Sequence, residues 1–592
     1  MNKEVRSCQN CKSDFAIESD DFDFYEKIKV PPPTWCPGCR TIRRMVFRNE
    51  RTLYKRPCNL CGKETISMYD RGTPFPVYCH SCWYSDKWDP FLYARDYDFS
   101  KPFFKQFNEL IEIAPRLSLL ITGNNKDSDY TNIVEDMKNC YLVFEADFDE
   151  DCMYSGYLVK SKRVLDSFYG WENELCYETI YCQGCYGVKH SYGCQNCINS
   201  HFLRDCIGCQ DCFGCVNLRN KSYHIFNQPY TKEDYKKKIE LFNIGSRKAS
   251  KELEEKFRKF SENYPRKYAY IQKSEKANGN FIFNSSDQHQ CFGMNESKSA
   301  YYTIWSNYDS DISDAYASGY YAGILHECQS VFYKAYNIKF SNFCFKGISD
   351  ATYCDLCTGS SNIFGCVGLK KGEYCILNKK YSREDYASLI AKIIKHMEEM
   401  PFLDKNNKTY KYGEFFPATL SPFAYNESIA QDYYPLTSEK AELEGFTWKN
   451  FPEKSHTPTI QADDLEDNIS NTLESIVREI ISCRHHGACN EQCTKAFKVT
   501  PSEFKFYKIL NLPIPDLCPN CRHFARLNRN TPYKLWKREC QCAGQKSTNE
   551  TYKNTAAHFH GDNKCPSEFE TSYAPDRKEI VYCEQCYNAE VV

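Results

Sequence analysis

The sequence lacks a strong net charge, a long apolar run and the short motifs of several enzyme classes. Its formal net charge is −2, so any affinity for nucleic acid would have to come from local patches. No charged-then-apolar leader follows Met1 and no apolar run reaches about 18 residues, so we expect neither export nor a membrane span. No P-loop, dinucleotide-binding glycine fingerprint or HExxH sequence occurs. We therefore expect a binding protein more than an enzyme.

Cysteine and tyrosine, in contrast, are abundant. The chain has 592 residues, which suggests roughly three to five domains, and it contains 36 Cys and 45 Tyr. Without an export signal the thiols should be reduced. We expect them to be metal ligands or core residues of a cytoplasmic protein rather than disulfides.

The cysteines at the two ends of the chain follow one spacing rule. Gaps of 24, 18 and 17 residues recur in both end regions, and only the short knuckle loops differ. Fixed spacing of this kind indicates tetrahedral metal sites with four thiolates each, and two knuckles per site are typical of a zinc ribbon or treble clef. Because four thiolates leave no open position, we expect four structural zinc ions, with an iron–sulfur cluster as the alternative.

The predicted ligands form two sites at each end. The N-terminal sites are Cys8, Cys11, Cys36 and Cys39, and Cys58, Cys61, Cys79 and Cys82. The C-terminal sites are Cys489, Cys493, Cys518 and Cys521, and Cys540, Cys565, Cys583 and Cys586. Four neighbours could replace a C-terminal ligand: Cys483, Cys542, His558 and His560.

The first half of each end module resembles the family catalogued as a probable zinc-ribbon domain. The matching elements are Cys8-x2-Cys11, Phe15, Phe24-Tyr25, and Pro33 shortly before Cys36-x2-Cys39-Arg40. The whole chain also resembles uncharacterised multi-zinc-ribbon proteins of small-genome bacteria and giant viruses. That resemblance implies zinc modules but no particular reaction.

The middle of the chain is duplicated with an offset of 151 residues. Residues 213–218 (FGCVNL) match residues 364–369 (FGCVGL), and each copy ends in a predicted helix with Thr231 or Ser382 as its N-cap. Within the first copy, apolar positions recur at multiples of six among Tyr, Gly, Asn and Ser. This pattern favours a parallel β-solenoid over the alternative, a twisted antiparallel sheet present twice.

The predicted fold is mainly β with α+β zinc modules: a duplicated parallel β-solenoid flanked by two related treble-clef or zinc-ribbon-like modules. The predicted units are a two-zinc module over 1–95, solenoid copies over 130–243 and 281–400, a helical connector over 244–280, an aromatic linker with a helix over 401–482, and a second two-zinc module over 483–592. We expect the connector helix at about 247–262, the helix of the second copy at 387–400, and the linker helix at 463–481.

The central cysteines have two interpretations. Free cysteine packs as a small hydrophobic residue, which favours a reduced core ladder inside the solenoid. The alternative is a further metal site, with Cys206, Cys209, Cys212 and Cys215 as its ligands.

A basic segment with a local charge of +6 lies between the two sites of each module. The candidate contacts to nucleic acid are Arg40, Arg43, Arg44, Arg48, Arg51, Lys55 and Arg56, and Arg522, Arg526, Arg529, Lys534, Lys537 and Arg538. Guanidinium groups on a zinc-rigidified element suit phosphate, so we expect RNA or a ribonucleoprotein as partner. The alternatives are a solvated or internally paired face, or a protein partner on the aromatic solenoid surface. A carbohydrate-active solenoid enzyme, using Asp147, Asp149 and Asp151 or Asp309, Asp311 and Asp314, ranks third.

Overall fold

The computed structural model describes residues 3–319, 323–326, 336–340, 347–452 and 456–591. The fold is mixed α/β, with two parallel sheets in the middle of the chain and a cysteine-rich module at each end. In the described part of the chain, no helix is long and apolar enough to cross a bilayer.

The two end modules contain equivalent elements. The N-terminal module has strands Glu4–Ser7, Asp14–Ile17, Tyr54–Pro57, Glu64–Ser67 and Val77–Tyr78, and helices Ser19–Lys27, Pro37–Met45 and His80–Trp83. The C-terminal module has strands Ile481–Ser482, Ala496–Phe497, Trp536–Glu539, Glu568–Thr571 and Val581–Tyr582, and helices Pro501–Leu510, Pro519–Leu527 and Glu584–Val591. Pro90–Tyr93 (3-10) and Phe103–Ile111 (α) link the first module to the middle.

Short parallel strands form most of the middle. The first copy comprises Arg116–Leu117, Ile121–Thr122, Asn132–Glu135, Phe144–Asp147, Gly156–Val159, Lys162–Leu165, Phe168–Trp171, Glu174–Gln183, Lys189–Tyr192, His224–Ile225 and Gln228–Pro229, then helices Lys232–Leu241 and Arg247–Glu262. The second comprises Arg266–Lys267, Ile271–Gln272, Glu275–Phe283, Ser286–Asn295, Lys298–Tyr301, Ile304–Asn307, Ser310–Ser313, Tyr316–Gly319, Gly323–His326, Tyr336–Lys339, Ser349–Thr352, Ser361–Phe364, Glu373–Ile376 and Lys379–Lys380, then helix Arg383–Glu399.

A three-residue rule builds the first copy. Every third residue is buried, as at Met137, Cys140 and Val143, and the residue before each one has a positive φ, as at Asp136 and Asn139. A left-handed residue other than glycine costs about 1–2 kcal/mol, so the parallel ladder on either side must offset that cost. The count of six in the sequence was therefore an even multiple of the true spacing, and it missed half of the buried positions.

The ladder has a constant step. Asn132 pairs with Phe144, Phe144 with Gly156, and Gly156 with Phe168, so each strand lies beside the chain 12 residues later. In the second copy, Phe292 pairs with Ile304 at the same step. These parallel pairings do not support the antiparallel alternative.

The helices that end the two copies agree with the sequence analysis. The hydroxyl of Thr231 accepts a hydrogen bond from Asp234 N–H at 3.1 Å, and Ser382 accepts one from Asp385 N–H at 3.0 Å. Both are therefore N-caps, as predicted. The connector helix spans Arg247–Glu262, also as predicted.

The linker helix predicted over 463–481 was wrong. This stretch contains only the 3-10 turns Ala462–Asp464 and Glu474–Arg478. Between them the Asn468 side chain accepts a hydrogen bond from Ser470 N–H at 2.9 Å, a local bond that competes with helix formation. The other elements of this region are strands Phe402–Leu403 and Thr409–Tyr410, 3-10 turns Ala418–Leu420 and Tyr425–Glu427, and helices Ile429–Tyr433 and Ser438–Glu444.

Candidate metal centres and the basic segments

Four groups of cysteines could each hold a metal ion. Their sulfur atoms lie within 4.8 Å of one another in each group. The groups are Cys8, Cys11, Cys36 and Cys39; Cys58, Cys61, Cys79 and Cys82; Cys483, Cys493, Cys518 and Cys521; and Cys540, Cys565, Cys583 and Cys586.

The spacing of the sulfurs fits a tetrahedral ion. Metal–sulfur bonds of about 2.3 Å place the sulfurs of a tetrahedral site about 3.8 Å apart. The Sγ–Sγ distance is 3.8 Å between Cys11 and Cys36, and 3.9 Å between Cys61 and Cys79. The residues present therefore fit zinc.

The four sites share one local geometry. In each, the backbone N–H of the third cysteine donates to the sulfur of the first at 3.2–3.3 Å. The pairs are Cys36 to Cys8, Cys79 to Cys58, Cys518 to Cys483, and Cys583 to Cys540. Cys36, Cys79 and Cys518 are also helix N-caps, where the helix dipole favours a thiolate.

The clusters favour one deprotonated sulfur each. Hydrogen bonds from the thiols of Cys36 and Cys39 lower the pKa of Cys8 well below the ordinary value for a thiol. The hydrogen bond from Cys540 is the main cause that lowers the pKa of Cys583 to about 4. Because a metal binds the thiolate, these sulfurs are prepared for coordination.

The first C-terminal site requires a correction to its ligand set. Cys483 is fully buried and follows strand Ile481–Ser482, as Cys8 follows strand Glu4–Ser7. Nine residues separate Cys483 from Cys493, so the loop holds an insertion, and the insertion carries Cys489. The structure thus puts Cys483 in the position that the sequence analysis gave to Cys489. Cys489 remains close, with its Sγ 3.6 Å from that of Cys521.

The central cysteines line the interior of the first copy. Cys206, Cys209, Cys212 and Cys215 are fully buried. Each sulfur lies near two carbonyl oxygens; for Cys206 these are Arg204 O at 3.5 Å and Cys215 O at 3.6 Å. A thiol that donates to carbonyls is protonated, which favours the core ladder. A metal site at these residues stays an untested prediction.

The basic segment of the N-terminal module faces inward. Arg40, Arg43, Arg44 and Arg48 are at most 1% exposed. Arg40 Nε lies 2.8 Å and Arg44 Nη1 3.1 Å from Asp314 Oδ1, in the second copy. Their guanidinium groups therefore form internal ion pairs and cannot reach phosphate in this fold.

The C-terminal module repeats the arrangement on the first copy. Arg526 Nη1 lies 2.7 Å from Asp166 Oδ1, and Arg522 Nη1 lies 2.8 Å from Asp166 Oδ2. Tyr154 donates to Glu503 at 2.9 Å beside this pair, just as Tyr302 donates to Asp21 at 2.9 Å in the other half. The modules are thus docked crosswise: the N-terminal module on the second copy and the C-terminal module on the first.

The remaining basic residues are more accessible. Arg56 is buried, with Nη1 3.0 Å from Thr73 Oγ1, whereas Arg51, Arg529 and Arg538 are half-buried. Lys55, Lys534 and Lys537 are exposed. The prediction of nucleic-acid contact therefore fails for the seven buried arginines, namely Arg40, Arg43, Arg44, Arg48, Arg56, Arg522 and Arg526. It stays untested for the other six residues.

Many aromatic residues of the middle also have internal partners. The hydroxyls of Tyr157 and Tyr316 lie 2.7 Å apart and join the two copies. Tyr169 and Trp305 stack with ring centroids 4.1 Å apart, and both contact the hydroxyl of Tyr533. These rings form the joint between both copies and the C-terminal module, so they are not a free docking surface.

Three of the candidate catalytic carboxylates are buried. Asp314 pairs with the arginines described above, Asp309 accepts from Ser306 Oγ at 2.7 Å, and Asp149 accepts from Ser161 N–H at 2.7 Å. Burial raises the pKa of Asp149 well above its ordinary value. These contacts give the three carboxylates structural roles.

A cleft of about 770 Å³ lies between the first copy, helix Arg247–Glu262 and the C-terminal module. Arg204, Arg266 and Arg577 are among its lining residues. Arg266 is 3% exposed, its Nη2 donates to Ser261 O at 2.8 Å, and its Nε and Nη1 have no hydrogen-bond partner. The equivalent Arg116 in the other half forms an ion pair with Asp355. Sequence reasoning missed this cleft because its residues come from three distant segments.

Comparisons with known proteins add little. No family model and no curated protein matches the chain. One solved structure that aligns, named "putative acetyltransferase" from Desulfovibrio desulfuricans G20, shares 10% identity over 49% of this chain and 86% of its own, with a TM-score of 0.09. A likeness at that TM-score carries no argument about fold or function.

Proposed function

We propose that the protein is a structural-zinc scaffold in which four zinc ions fold two modules, and each module clamps the opposite half of a duplicated β-solenoid. The observation that carries this proposal is that one backbone geometry recurs in all four cysteine groups. Reduced, metal-bound thiols accord with the cytoplasm.

The solenoid assignment rests on three features of the middle. The ladder advances by 12 residues per strand, every third residue is buried, and a positive φ precedes each buried residue. Together they describe coils with four short sides, stacked in parallel.

Native mass spectrometry with elemental analysis of the full chain tests the metal assignment. We expect at least four zinc ions and no visible absorption, whereas iron–sulfur clusters absorb visible light. Structural zinc contributes about 10–16 kcal/mol in zinc-finger peptides, so a strong chelator should unfold both modules. Full resistance to proteolysis after complete removal of the metal would refute the structural role.

A second candidate function is favoured by Arg266. Its two unpartnered nitrogens face a cleft that also contains Arg204 and Arg577, and buried polar groups are normally satisfied. We propose that the cleft binds a phosphate-bearing ligand, of which RNA, the partner expected from the sequence, is one.

Fluorescence anisotropy with a short single-stranded RNA, and competition by inorganic pyrophosphate, tests this candidate. Lys578→Glu at the rim of the cleft should weaken binding, and Lys55→Glu on the N-terminal module is the matched control. The reverse pattern would assign RNA contact to the exposed lysines of the modules. Binding that does not change between low and high salt would exclude phosphate recognition at either place.

A further inference from the structure

The C-terminal module carries an insertion that the N-terminal module lacks. Two residues separate Cys58 from Cys61, whereas 24 separate Cys540 from Cys565. The flanking strands pair alike, Tyr54–Pro57 with Glu64–Ser67 and Trp536–Glu539 with Glu568–Thr571, so the two pairs of cysteines are equivalent. The extra segment brings three further ligand types to this site: Cys542, His558 and His560.

These three residues surround Cys586. The ligand atoms of Cys542, His558, His560 and Cys586 lie within 4.8 Å of one another. His560 Nε2 is 3.3 Å from Cys586 Sγ, close to the separation of about 3.6 Å that a tetrahedral zinc gives a nitrogen and a sulfur ligand. Cys586 is also a member of the four-cysteine group described above, so two ligand sets meet at one sulfur.

Both histidines are oriented by a second hydrogen bond. His558 Nε2 lies 2.9 Å from Glu590 Oε1, and its Nδ1 is buried without a partner although the side chain is only 1% exposed. His560 Nδ1 lies 2.7 Å from Asn563 O, which leaves Nε2 toward Cys586. Metal-binding histidines characteristically use one nitrogen for a carboxylate or carbonyl and the other for the ion.

The supporting carboxylate is itself fixed. Glu590 accepts hydrogen bonds from the backbone N–H groups of Thr555 and Ala556, at 2.9 Å for Thr555 and 3.2 Å for Ala556. Tyr552 also donates to it at 2.9 Å. The helix Glu584–Val591 thus holds both Cys586 and the residue that sets the ring of His558.

We propose that the C-terminal module contains a binuclear zinc centre in which the Cys586 thiolate bridges two ions. One ion is held by Cys540, Cys565, Cys583 and Cys586, and the other by Cys542, His558, His560 and Cys586. A thiolate can bridge two zinc ions, as binuclear Zn2Cys6 modules require. With neutral histidines the second ion changes the net charge of the buried centre from −2 to −1, because it adds +2 and one thiolate.

The inference rests on the proposed zinc scaffold, and counting ions separates the two. Native mass spectrometry of the zinc-loaded full chain should show five ions. Four ions would overturn the binuclear centre and leave the scaffold standing, and fewer than four would count against both. Cys542→Ala together with His558→Asn should lower the count by one. Cys61→Ser in the mononuclear site of the other module is the matched comparison.

A spectroscopic test does not depend on whether variants fold. In the wild-type chain loaded with cadmium-113, two resonances should be split by scalar coupling to each other, because one sulfur joins the two ions. One resonance should have the shift of a four-sulfur site and the other that of a two-sulfur, two-nitrogen site. Five resonances without mutual splitting would refute the shared sulfur.

Discussion

Neutralising Asp166 tests the crosswise docking most directly. Asp166 is fully buried, and Asp166→Asn keeps the size of the side chain but leaves the guanidinium groups of Arg522 and Arg526 with one less anion. Removing one partner of a buried ion pair costs about 3–5 kcal/mol. Because every 1.4 kcal/mol is tenfold in an equilibrium constant, local opening should become about 10²- to 10⁴-fold more frequent.

Hydrogen exchange measured by mass spectrometry reads this opening out. Protection should fall in helix Pro519–Leu527 and leave helix Pro37–Met45 unchanged. Asp314→Asn should give the mirror result, and Glu172→Gln, at an exposed carboxylate of the first copy, is the control. Unchanged protection of helix Pro519–Leu527 in Asp166→Asn would show that the ion pairs do not hold the module.

Three further predictions concern the metal sites and a buried acid. Cys483→Ser should speed zinc loss from the first C-terminal site at least tenfold in a chelator assay, and Cys489→Ser should change it less; the opposite ranking would restore the sequence-based ligand set. Acidification should release zinc as the thiolates are protonated, with loss of the Cys583 contribution complete only below a pH of about 4, the pKa of that thiol, measured as zinc in the filtrate after ultrafiltration. Burial raises the pKa of Asp432 to about 7, so its ionisation opposes folding above neutral pH. Asp432→Asn should therefore raise the urea midpoint most above pH 7 and by less at pH 5.5, and an equal gain at both would refute the assignment.

The cysteine spacing predicted the metal groups well because a tetrahedral ion restrains all of its ligands at once. It placed every ligand of three groups, and three of the four in the remaining one. Cys483 was missed since an insertion lengthened the first knuckle and put Cys489 at a plausible distance from Cys493. The strand residues before Cys8 and before Cys483 were the signal that could have identified it.

The charged and aromatic segments were harder to interpret, because composition does not identify a partner. Arg40 and Arg44 meet a single aspartate, Asp314, which lies 274 residues away from Arg40 and outside any acidic run. The acidic stretches weighed in the sequence analysis are not the partners found. The ladder step was likewise hidden, since both the buried side chains and the positive φ angles recur every three residues in a sequence that appears irregular.

The crosswise docking imposes an order on biosynthesis. A ribosome adds about 5–20 residues per second, so Asp314 emerges roughly 15–55 s after Arg40, with which it pairs across 274 residues. During that interval the N-terminal module must survive with its guanidinium helix in water, held together only by its metal. Cellular zinc supply at the moment of translation therefore bears on the yield of intact chain more than on its later persistence.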